Sequence, residues 1–282
     1  MTYLFKKKMW QRIMKCLSVL SLILIVDCFV IETSFIKINT YHLNGKWQGN
    51  GMPVKIIQFS DVHLGKSYGV ATIRKIVKQI NNLKPDIIVC TGDFIDCASD
   101  VKCREEIIKE LRNLKAPYGK YAVYGNHEYK EDGESVYRHM MRKSGFKLLI
   151  NEKKEIKIEE KELVIIGLDD SISGKMNIPL ATNHLLDDQY NILLAHEPDV
   201  VEEILDLPID LQLSGHSHGG QFRLPVLGAL YTPELSKKYI KGMYNFPNSD
   251  VKLYVNVGIG TTIIRGRLFN RPEISQFIIG EN

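Results

Sequence analysis

The sequence predicts an α/β protein in which helices cover one sheet or a pair of stacked sheets. Short apolar runs alternate along the chain with amphipathic helical segments, as expected for parallel strands that are buried on both faces. Polar residues rich in histidine and aspartate follow these runs directly. A basic and then strongly apolar N-terminus stands apart from this alternation and predicts a membrane helix ahead of the domain.

The composition is that of an ordinary globular protein, with 44% hydrophobic and 25% charged residues over a length of 282. The formal net charge of +4 is small and the lysines are scattered, so we expect no nucleic-acid partner. None of the five cysteines belongs to a CxxC pair, which makes them poor metal ligands. Cys97 and Cys103 are either a short disulfide or two free thiols.

Residues 1–34 are the predicted membrane segment. Five basic residues precede an apolar run over 16–31, in which Asp27 is the only charge. Because a bilayer core needs roughly 20 apolar residues, Lys15 and Glu32 are expected to reach the membrane edges. No small-residue cleavage site follows the run, which favours an uncleaved signal anchor over a cleaved signal peptide or a buried core helix.

The positive-inside rule predicts the orientation of this anchor. The basic residues before Cys16 stay in the cytoplasm, and residues 35–282 face outward. We therefore expect a single-pass protein of the cell membrane with an extracytoplasmic domain.

Residues 35–282 are predicted to form one domain, whose elements follow in order. A strand and a turn are expected over 35–52. The runs "VKIIQF", "ATIRKIVKQINNLKP" and "DIIVC" then predict a strand, a helix and a parallel strand. A helix around Glu105 to Leu114 and a strand at "YAVYGNHEY" continue the alternation. Further strands are predicted at "ELVIIGLDD", "YNILLAHEP", "IDLQLSGHSH" and "KLYVNVGIG".

The ends of these strands carry polar residues that suit metal ions, because ligands gather at the carboxyl ends of strands in open α/β sheets. These residues are Asp61, His63, Asp93, Asn126, His127, His196, His216 and His218. Residues two apart on a strand share a face, which predicts that the last two histidines aim at one point. Nitrogen and oxygen donors without sulfur suit divalent Mn, Zn or Fe, and a two-ion site needs a bridging carboxylate.

The ordered set DxH, GD, GNH(D/E), a later lone His and GHxH resembles the calcineurin-like metallophosphoesterases, from Val54 to Gln276. The resemblance implies a stacked β-sheet sandwich flanked by helices and two divalent metal ions. Asp61, His63 and His218 would hold the first ion, and Asn126, His196 and His216 the second. Asp93 would bridge the two ions, and His127 would stay unligated. For Asn126 a turn role is the competing interpretation.

The reaction that the resemblance implies is hydrolysis of a phosphoester or diphosphate. A metal-bridging hydroxide would attack phosphorus in line, and His127 would donate a proton to the leaving oxygen. Glu128, and also Asp169 or Asp170, are candidates to orient histidine ligands. Protein serine/threonine phosphatases carry an arginine after GDxxD, whereas this chain has Cys97 there, which disfavours that branch.

The segment after the glycine pair, from Gln221 to Phe246, is rich in Phe, Leu and Tyr and carries Arg223. It predicts a cavity rim with an apolar wall and a cationic patch that fits a phosphorylated amphiphile, with an ordinary surface flap as the alternative. Arg267 is expected to be structural or to contact phosphate. The stretches "GHSHGGQF" and "RGRLFNRPEI", together with the anchor, resemble the membrane-associated bacterial branch that includes lipid A pathway diphosphatases.

Three functions follow from this reading of the sequence. The favoured one is a membrane-anchored dinuclear phosphohydrolase acting on a phosphorylated small molecule or lipid. The second is a soluble nucleotide or cyclic-nucleotide phosphodiesterase with an apolar N-terminal helix. The third is a non-enzymatic metal-binding scaffold, which is disfavoured because Asn126, His127 and all the expected metal positions are present.

Overall fold

The structure is a computed structural model that describes residues 2–43, 46–47 and 52–280. Its helices are α1 (Thr2–Val26), α2 (Glu32–Ser34), α3 (Val70–Asn82), α4 (Arg104–Arg112), α5 (Gly133–Lys143) and α6 (Ile178–Ala181). Its strands are β1 (Lys37–Leu43), β2 (Val54–Phe59), β3 (Ile87–Cys90), β4 (Lys120–Ala122), β5 (Lys147–Leu148), β6 (Glu152–Ile158), β7 (Lys161–Gly167), β8 (Tyr190–Leu194), β9 (Leu211–Ser214), β10 (Arg223–Leu224), β11 (Gly228–Ala229), β12 (Gly242–Phe246), β13 (Ser249–Val255) and β14 (Glu273–Ile279).

Two six-stranded sheets form the framework, with the strand orders β1-β14-β2-β3-β4-β5 and β12-β13-β9-β8-β7-β6. In the first sheet, β2 to β5 run parallel and β14 runs antiparallel to β2. In the second sheet, β7, β8, β9 and β13 run parallel, and β6 and β12 are antiparallel edge strands. The parallel strands of each sheet therefore end at one edge of that sheet.

Apolar side chains of both sheets fill the space between them, including Ile56 and Val89 from the first and Ile165 and Leu194 from the second. The helices α3, α4 and α5 pack on the outer face of the first sheet. The outer face of the second sheet is covered by α6 and by the short helical segment Pro198–Glu203. The α/β prediction is confirmed, and of its two variants the stacked pair of sheets is the correct one.

Most apolar runs are strands as predicted, but some strands end early. The predicted strand at "YAVYGNHEY" is only β4, because Asn126–Tyr129 form a helical turn closed by the Glu128 carboxylate, which accepts from Gly125 N. The strand predicted over 35–52 is β1, which pairs with β14. Most of the turn predicted after it lies outside the described residues.

The helix α1, the π-helical segment Asp27–Ile31 and α2 form one continuous N-terminal helix. It is long and apolar enough to cross a membrane, with a candidate span over Phe5–Ser34. Its C-terminal end contacts the domain: Cys28 O accepts from Arg267 N at 2.9 Å, and Glu32 Oε2 accepts from Asn270 N at 3.0 Å. The Glu32 carboxylate is buried against the domain, where it has this backbone donor, and its position at a membrane edge stays a prediction.

The cysteines are free thiols, so Cys97 and Cys103 form no disulfide. Cys97 Sγ donates to Glu131 Oε2 at 2.6 Å and also contacts Ser99. Cys103 lies exposed just before α4.

Candidate metal centre

The predicted polar residues converge where the central strands of both sheets end. The loops after β2, β3 and β4 carry Asp61, His63, Asp93, Asn126 and His127, and the loops after β8 and β9 carry His196, His216 and His218. All of these side chains are buried except those of Asn126 and His127, which are half-buried. The two sheets therefore supply opposite walls of one site.

A first group consists of Asp61, His63 and His218, whose ligand atoms all lie within 4.8 Å of one another. His63 Nε2 is 3.0 Å from His218 Nε2, which in turn is 3.5 Å from Asp61 Oδ1. The Asp61 carboxylate also accepts from His216 N, at 3.0 Å and 3.2 Å. Asp61 thus links the loop after β2, in the first sheet, to the loop after β9, in the second sheet.

A second group consists of Asp93, His196 and His216, which meet the same distance limit. His196 Nε2 is 3.3 Å from Asp93 Oδ2 and 3.2 Å from His216 Nδ1. The outer nitrogens are engaged elsewhere, because His196 Nδ1 donates to Thr91 O at 2.7 Å and His216 Nε2 donates to Glu234 O at 2.8 Å. These bonds direct one lone pair of each ring into the group.

Asp93 lies between the two groups. Its Oδ2 is 3.3 Å from His196 Nε2 and 3.7 Å from His63 Nε2, while its Oδ1 accepts from His127 N at 2.9 Å. Desolvation opposes ionisation of Asp93, but the charges of His196 and His127 outweigh it and hold the pKa of this carboxyl well below its usual range. One anionic oxygen therefore faces both groups.

His216 and His218 do not aim at one point, and the prediction from strand geometry is wrong. The strand β9 ends at Ser214, and the two histidines have φ values of 65° and 49°, in the left-handed region. The chain turns sharply between them, so that one ring enters each group. Alternation of faces applies to extended backbone, and this loop is not extended.

The backbone of the site is strained. Five of the expected ligand residues, Asp61, His63, Asp93, His216 and His218, have φ between 49° and 65°. Non-glycine residues in this region cost of order 1–3 kcal/mol each, and such strain concentrates at functional sites. Two positions beside the ligands require glycine. A Cβ at Gly215 would overlap Asp61 Oδ2, and a Cβ at Gly125 would overlap Asp93 Oδ1.

The residues fit divalent cations. Asn126 Oδ1 is buried and has no hydrogen-bond partner among the described residues. An unpaired buried acceptor costs about 1–3 kcal/mol, which coordination of a cation would offset. The facing ring nitrogens of His63 and His218 likewise suit a cation between them. Nitrogen and oxygen donors without sulfur are the ligand set that divalent Mn, Zn or Fe accepts.

Asp96 is a residue that the sequence reasoning missed. Its Oδ1 accepts from His127 Nδ1 at 3.0 Å and lies 3.5 Å from His63 Nδ1. Hydrogen bonds to His127 and His63 lower the pKa of Asp96. Burial disfavours the charged form of His127, but Asp93 and Asp96 overcome it and raise its pKa. The second acid of "GDFID", three residues after Asp93, was the available signal.

Glu128 is fully buried and holds two loops together. Its carboxylate accepts from Asp93 N at 2.9 Å, from Gly125 N at 2.8 Å and from Ile95 N at 3.0 Å. Burial and the charge of Asp93 raise the pKa of Glu128 to about 8. Through these bonds Glu128 orients the backbone around Asp93. The prediction that Glu128 orients a histidine ligand is wrong.

Asp169 and Asp170 stabilise the loop that follows β7. The Asp169 carboxylate accepts from the Tyr129 hydroxyl and from Lys175 N, and Asp170 Oδ1 accepts from Ile172 N at 3.1 Å. Burial and then Glu197 raise the pKa of Asp170 to about 8. Their hydrogen bonds run within this loop, to Tyr129 and to Glu197. The prediction that these two acids orient histidine ligands is therefore wrong.

A cavity of about 780 Å³ lies over the two groups. Polar side chains of Asp93, Asn126, His127, His216 and His218 line its inner end. Its outer wall is apolar and consists of Phe222, Leu230, Tyr231, Ile263 and Ile264. The predicted apolar rim is therefore formed by the segment after Gln221 together with a second loop, which had not been assigned to it.

The two arginines expected to bind substrate have other contacts. Arg267 is fully buried and donates to the backbone carbonyls of Val257, Gly258, Gly260 and Asn270. Its guanidinium is therefore structural, since its donors are directed at carbonyls rather than at the cavity. Arg223 is half-buried and outside the cavity lining, and its Nη1 donates to Gly219 O at 2.8 Å.

A stacked α/β sandwich with this cluster at its strand ends defines a metal-dependent hydrolase. The chain belongs to the calcineurin-like phosphoesterase family, whose sequence pattern matches residues 54–220. The metallophosphoesterase YkuE of Bacillus subtilis (strain 168) is 38% identical over 80% of this chain and 78% of its own length. Members of this family are phosphoester hydrolases that use divalent metals.

Two further relatives carry more specific names. The UDP-2,3-diacylglucosamine pyrophosphatase LpxG of Chlamydia trachomatis is 30% identical, over 78% of this chain and 82% of its own length. The phosphodiesterase YaeI of Escherichia coli (strain K12) is 28% identical, over 81% of this chain and 83% of its own length. The family resemblance expected from the motifs is thus confirmed.

Proposed function

We propose that this protein is a membrane-anchored phosphohydrolase that uses two divalent cations to cleave a phosphodiester or diphosphate bond of a lipid-linked substrate. The observation that supports it most is the convergence of two ligand groups on the shared carboxylate of Asp93. The names of LpxG and YaeI support the class of bond, and that of LpxG supports a lipid-linked substrate.

In this proposal Asp61, His63 and His218 hold one cation, Asn126, His196 and His216 hold the other, and Asp93 contacts both. Divalent ions at such a site supply Lewis-acid polarisation of phosphoryl oxygens and activation of water near neutral pH. The hydrogen bonds of His196 to Thr91 O and of His216 to Glu234 O keep the ring lone pairs directed inward. Glu128 holds the backbone on which Asp93 sits.

His127 is the proposed proton donor to the leaving oxygen. Its Nδ1 is held by Asp96, so its Nε2 is the nitrogen left for the cavity, which His127 lines. Its backbone N–H donates to Asp93 Oδ1, which keeps the ring at a constant distance from the bridging carboxylate. A positioned histidine of this kind typically contributes 10²–10⁴-fold to a rate.

Residues 1–34 are the proposed anchor and residues 35–282 the catalytic domain. The apolar side chains of α1 are exposed, for example Leu17 at 51% and Val19 at 58%, which supports a lipid environment. The basic residues before Cys16 favour a cytoplasmic N-terminus and an extracytoplasmic domain. A soluble nucleotide phosphodiesterase leaves this exposed helix without a role, and retention in the pellet after carbonate washing of membranes tests the anchor.

The test of the activity uses the full chain in detergent, stripped of metal and then titrated with Mn, Zn or Fe. Hydrolysis of bis(p-nitrophenyl) phosphate is expected to return with added metal. His196→Ala is expected to abolish this hydrolysis, whereas His139→Ala, at an exposed histidine on α5, keeps it. Undiminished turnover in His196→Ala, or no turnover of the folded wild type with any of the metals, contradicts the proposal.

A further inference from the structure

Two neighbouring loops expose large apolar side chains beside the cavity. We name this area the loop surface, and its members are Val226, Leu227, Leu230, Tyr231, Ile263 and Ile264. Ile263 is 96% exposed, Leu227 is 75% exposed and Val226 is completely exposed. A contiguous exposed patch of this kind marks an interaction site, because the side chains gain nothing from the folded domain.

The two loops form one unit. Gln221 Nε2 donates to Thr262 O at 3.1 Å and to Ile264 O at 2.7 Å, and Gln221 Oε1 accepts from Thr262 N at 3.0 Å. Arg223 N donates to Leu268 O at 2.9 Å. The exposed side chains of both loops are therefore held side by side, rather than scattered singly over the domain.

The loop surface adjoins the end of the N-terminal helix. Gly266, two residues after Ile264, lies so close to Phe29 that a Cβ there would be 2.9 Å from its ring. Arg267 N donates to Cys28 O in the same contact. Phe29 and Val30 are themselves exposed at 47% and 56%. The apolar surface of the helix thus continues directly into the loop surface.

Charged and amphipathic groups at the edge of this surface suit a lipid headgroup region. Lys237 Nζ lies 5.3 Å from the centre of the Tyr231 ring, and tyrosine and lysine at an apolar boundary are typical of membrane interfaces. Arg265 is exposed between Ile264 and Gly266, and its Nη2 contacts Ser67 O. The neighbouring Lys66 side chain is 84% exposed and pairs with Asp100 at 3.4 Å. Cations at this depth attract anionic lipids.

The same loops also form the apolar wall of the cavity. Leu230, Tyr231, Ile263 and Ile264 belong both to the loop surface and to the cavity lining, opposite His127, His216 and His218. An amphiphile can therefore pass from the loop surface into the cavity without leaving an apolar wall. Its phosphate would then meet the polar inner end.

We propose that the loop surface lies in the bilayer interface beside the exit of α1, and that the cavity takes its phosphorylated amphiphile sideways from the membrane. The occupant of the loop surface is the lipid bilayer itself. This inference rests on the proposed function for the chemistry at the inner end of the cavity, while the membrane contact can be measured independently of any hydrolysis.

The first experiment measures depth in the membrane. Leu227→Trp and Ile263→Trp are made in a Trp10→Phe background of the full chain, in which the buried Trp47 remains as a constant signal. The protein is reconstituted in phosphatidylcholine nanodiscs with and without brominated acyl chains. Bromine is expected to quench the new tryptophans at least twofold more than the matched control Leu186→Trp, which is 53% exposed before β8. Quenching equal to the control overturns the inference.

The second experiment separates membrane access from chemistry. Val226→Glu/Leu227→Glu changes two side chains outside the cavity lining, with Leu186→Glu as control. Hydrolysis of hexadecyl p-nitrophenyl phosphate, which is held in the nanodisc, is expected to fall at least fivefold in the double variant. Hydrolysis of the water-soluble ethyl p-nitrophenyl phosphate is expected to stay unchanged. The inference is overturned if the double variant hydrolyses each ester as fast as the wild type does. It is also overturned if the rates on the two esters fall by the same factor.

The two proposals fail in different ways. Quenching of the tryptophans introduced at 227 and 263, together with a wild-type protein that hydrolyses neither ester with any metal, supports the membrane contact and contradicts the proposed function. Hydrolysis of both esters with unquenched tryptophans supports the proposed function and overturns the loop surface as a membrane contact.

Discussion

The metal centre and the loop surface line the same cavity and are built in opposite ways. At the metal centre most side chains are buried, much of the backbone is held in left-handed conformations, and carboxylates bind neighbouring loops. At the loop surface large apolar side chains are exposed. Catalysis depends on distances fixed to a fraction of an ångström, whereas capture of an amphiphile depends on exposed apolar area.

The energetics of the two regions differ in the same way. Five left-handed residues at roughly 1–3 kcal/mol each amount to a strain comparable to the whole stability of a typical domain. The packed core between the two sheets has to sustain that strain. The loop surface has fewer left-handed residues, namely Val226 and Ile263 with φ of 71° and 58°, against five at the metal centre.

The largest effect is expected from Asp93→Asn, which breaks the link between the two ligand groups. Loss of the shared anionic oxygen is expected to lower kcat/KM for bis(p-nitrophenyl) phosphate by roughly 10³-fold or more. Metal content measured by mass spectrometry is expected to fall with it. Retention of both full activity and full metal content contradicts the bridging position of Asp93.

His127→Gln tests the proton donor without removing a ligand. It is expected to lower kcat by roughly 10²-fold with the metal content unchanged. The loss is expected to be larger for diphenyl phosphate than for bis(p-nitrophenyl) phosphate, since a poorer leaving group needs the proton more. An equal loss on both substrates assigns His127 to positioning only.

Gly215→Ala tests the close packing of the metal centre. The added Cβ would overlap Ser60 Oγ and Asp61 Oδ2, and the resulting displacement of the first ligand group is expected to cost roughly tenfold in activity. Gly69→Ala is the control, because a Cβ there meets nothing within 4 Å. Wild-type kinetics in Gly215→Ala would show that the site tolerates movement.

Glu128→Gln is expected to have the smallest effect. It tests the hydrogen bonds by which Glu128 holds the backbone around Asp93. One carboxylate oxygen becomes an NH₂ group facing backbone donors, which is expected to lower the free energy of unfolding by about 1–3 kcal/mol. Denaturant titration measures this change. Glu134→Gln, in an exposed pair with Arg138, is expected to cost under about 1 kcal/mol. Equal free energies of unfolding for the two variants would contradict a stabilising role of Glu128.

The sequence predicted the strands well, because parallel strands buried on both faces leave continuous apolar runs such as those of β2 and β8. It also located the polar residues at their ends. The division of His216 and His218 between two groups was not predictable from strand periodicity, because it depends on left-handed backbone after β9.

Two further features required the folded structure. Arg267 carries no sequence mark of burial, and its role depends on carbonyls that loop closure brings together. Asp96 contacts His127 only because two loops from neighbouring strands meet at the same sheet edge. The exposure of Ile263 was not predictable either, since burial is a property of the fold.

The central claim is that two cations lie side by side on Asp93, and electron paramagnetic resonance tests it most directly. The metal-free full chain is titrated with Mn²⁺ while the spectrum is recorded. The account predicts binding of two ions per chain and an exchange-coupled multiline signal at two equivalents, which Asp93→Asn loses. Two equivalents that give only the six-line signal of isolated Mn²⁺, or saturation at one ion, would contradict it.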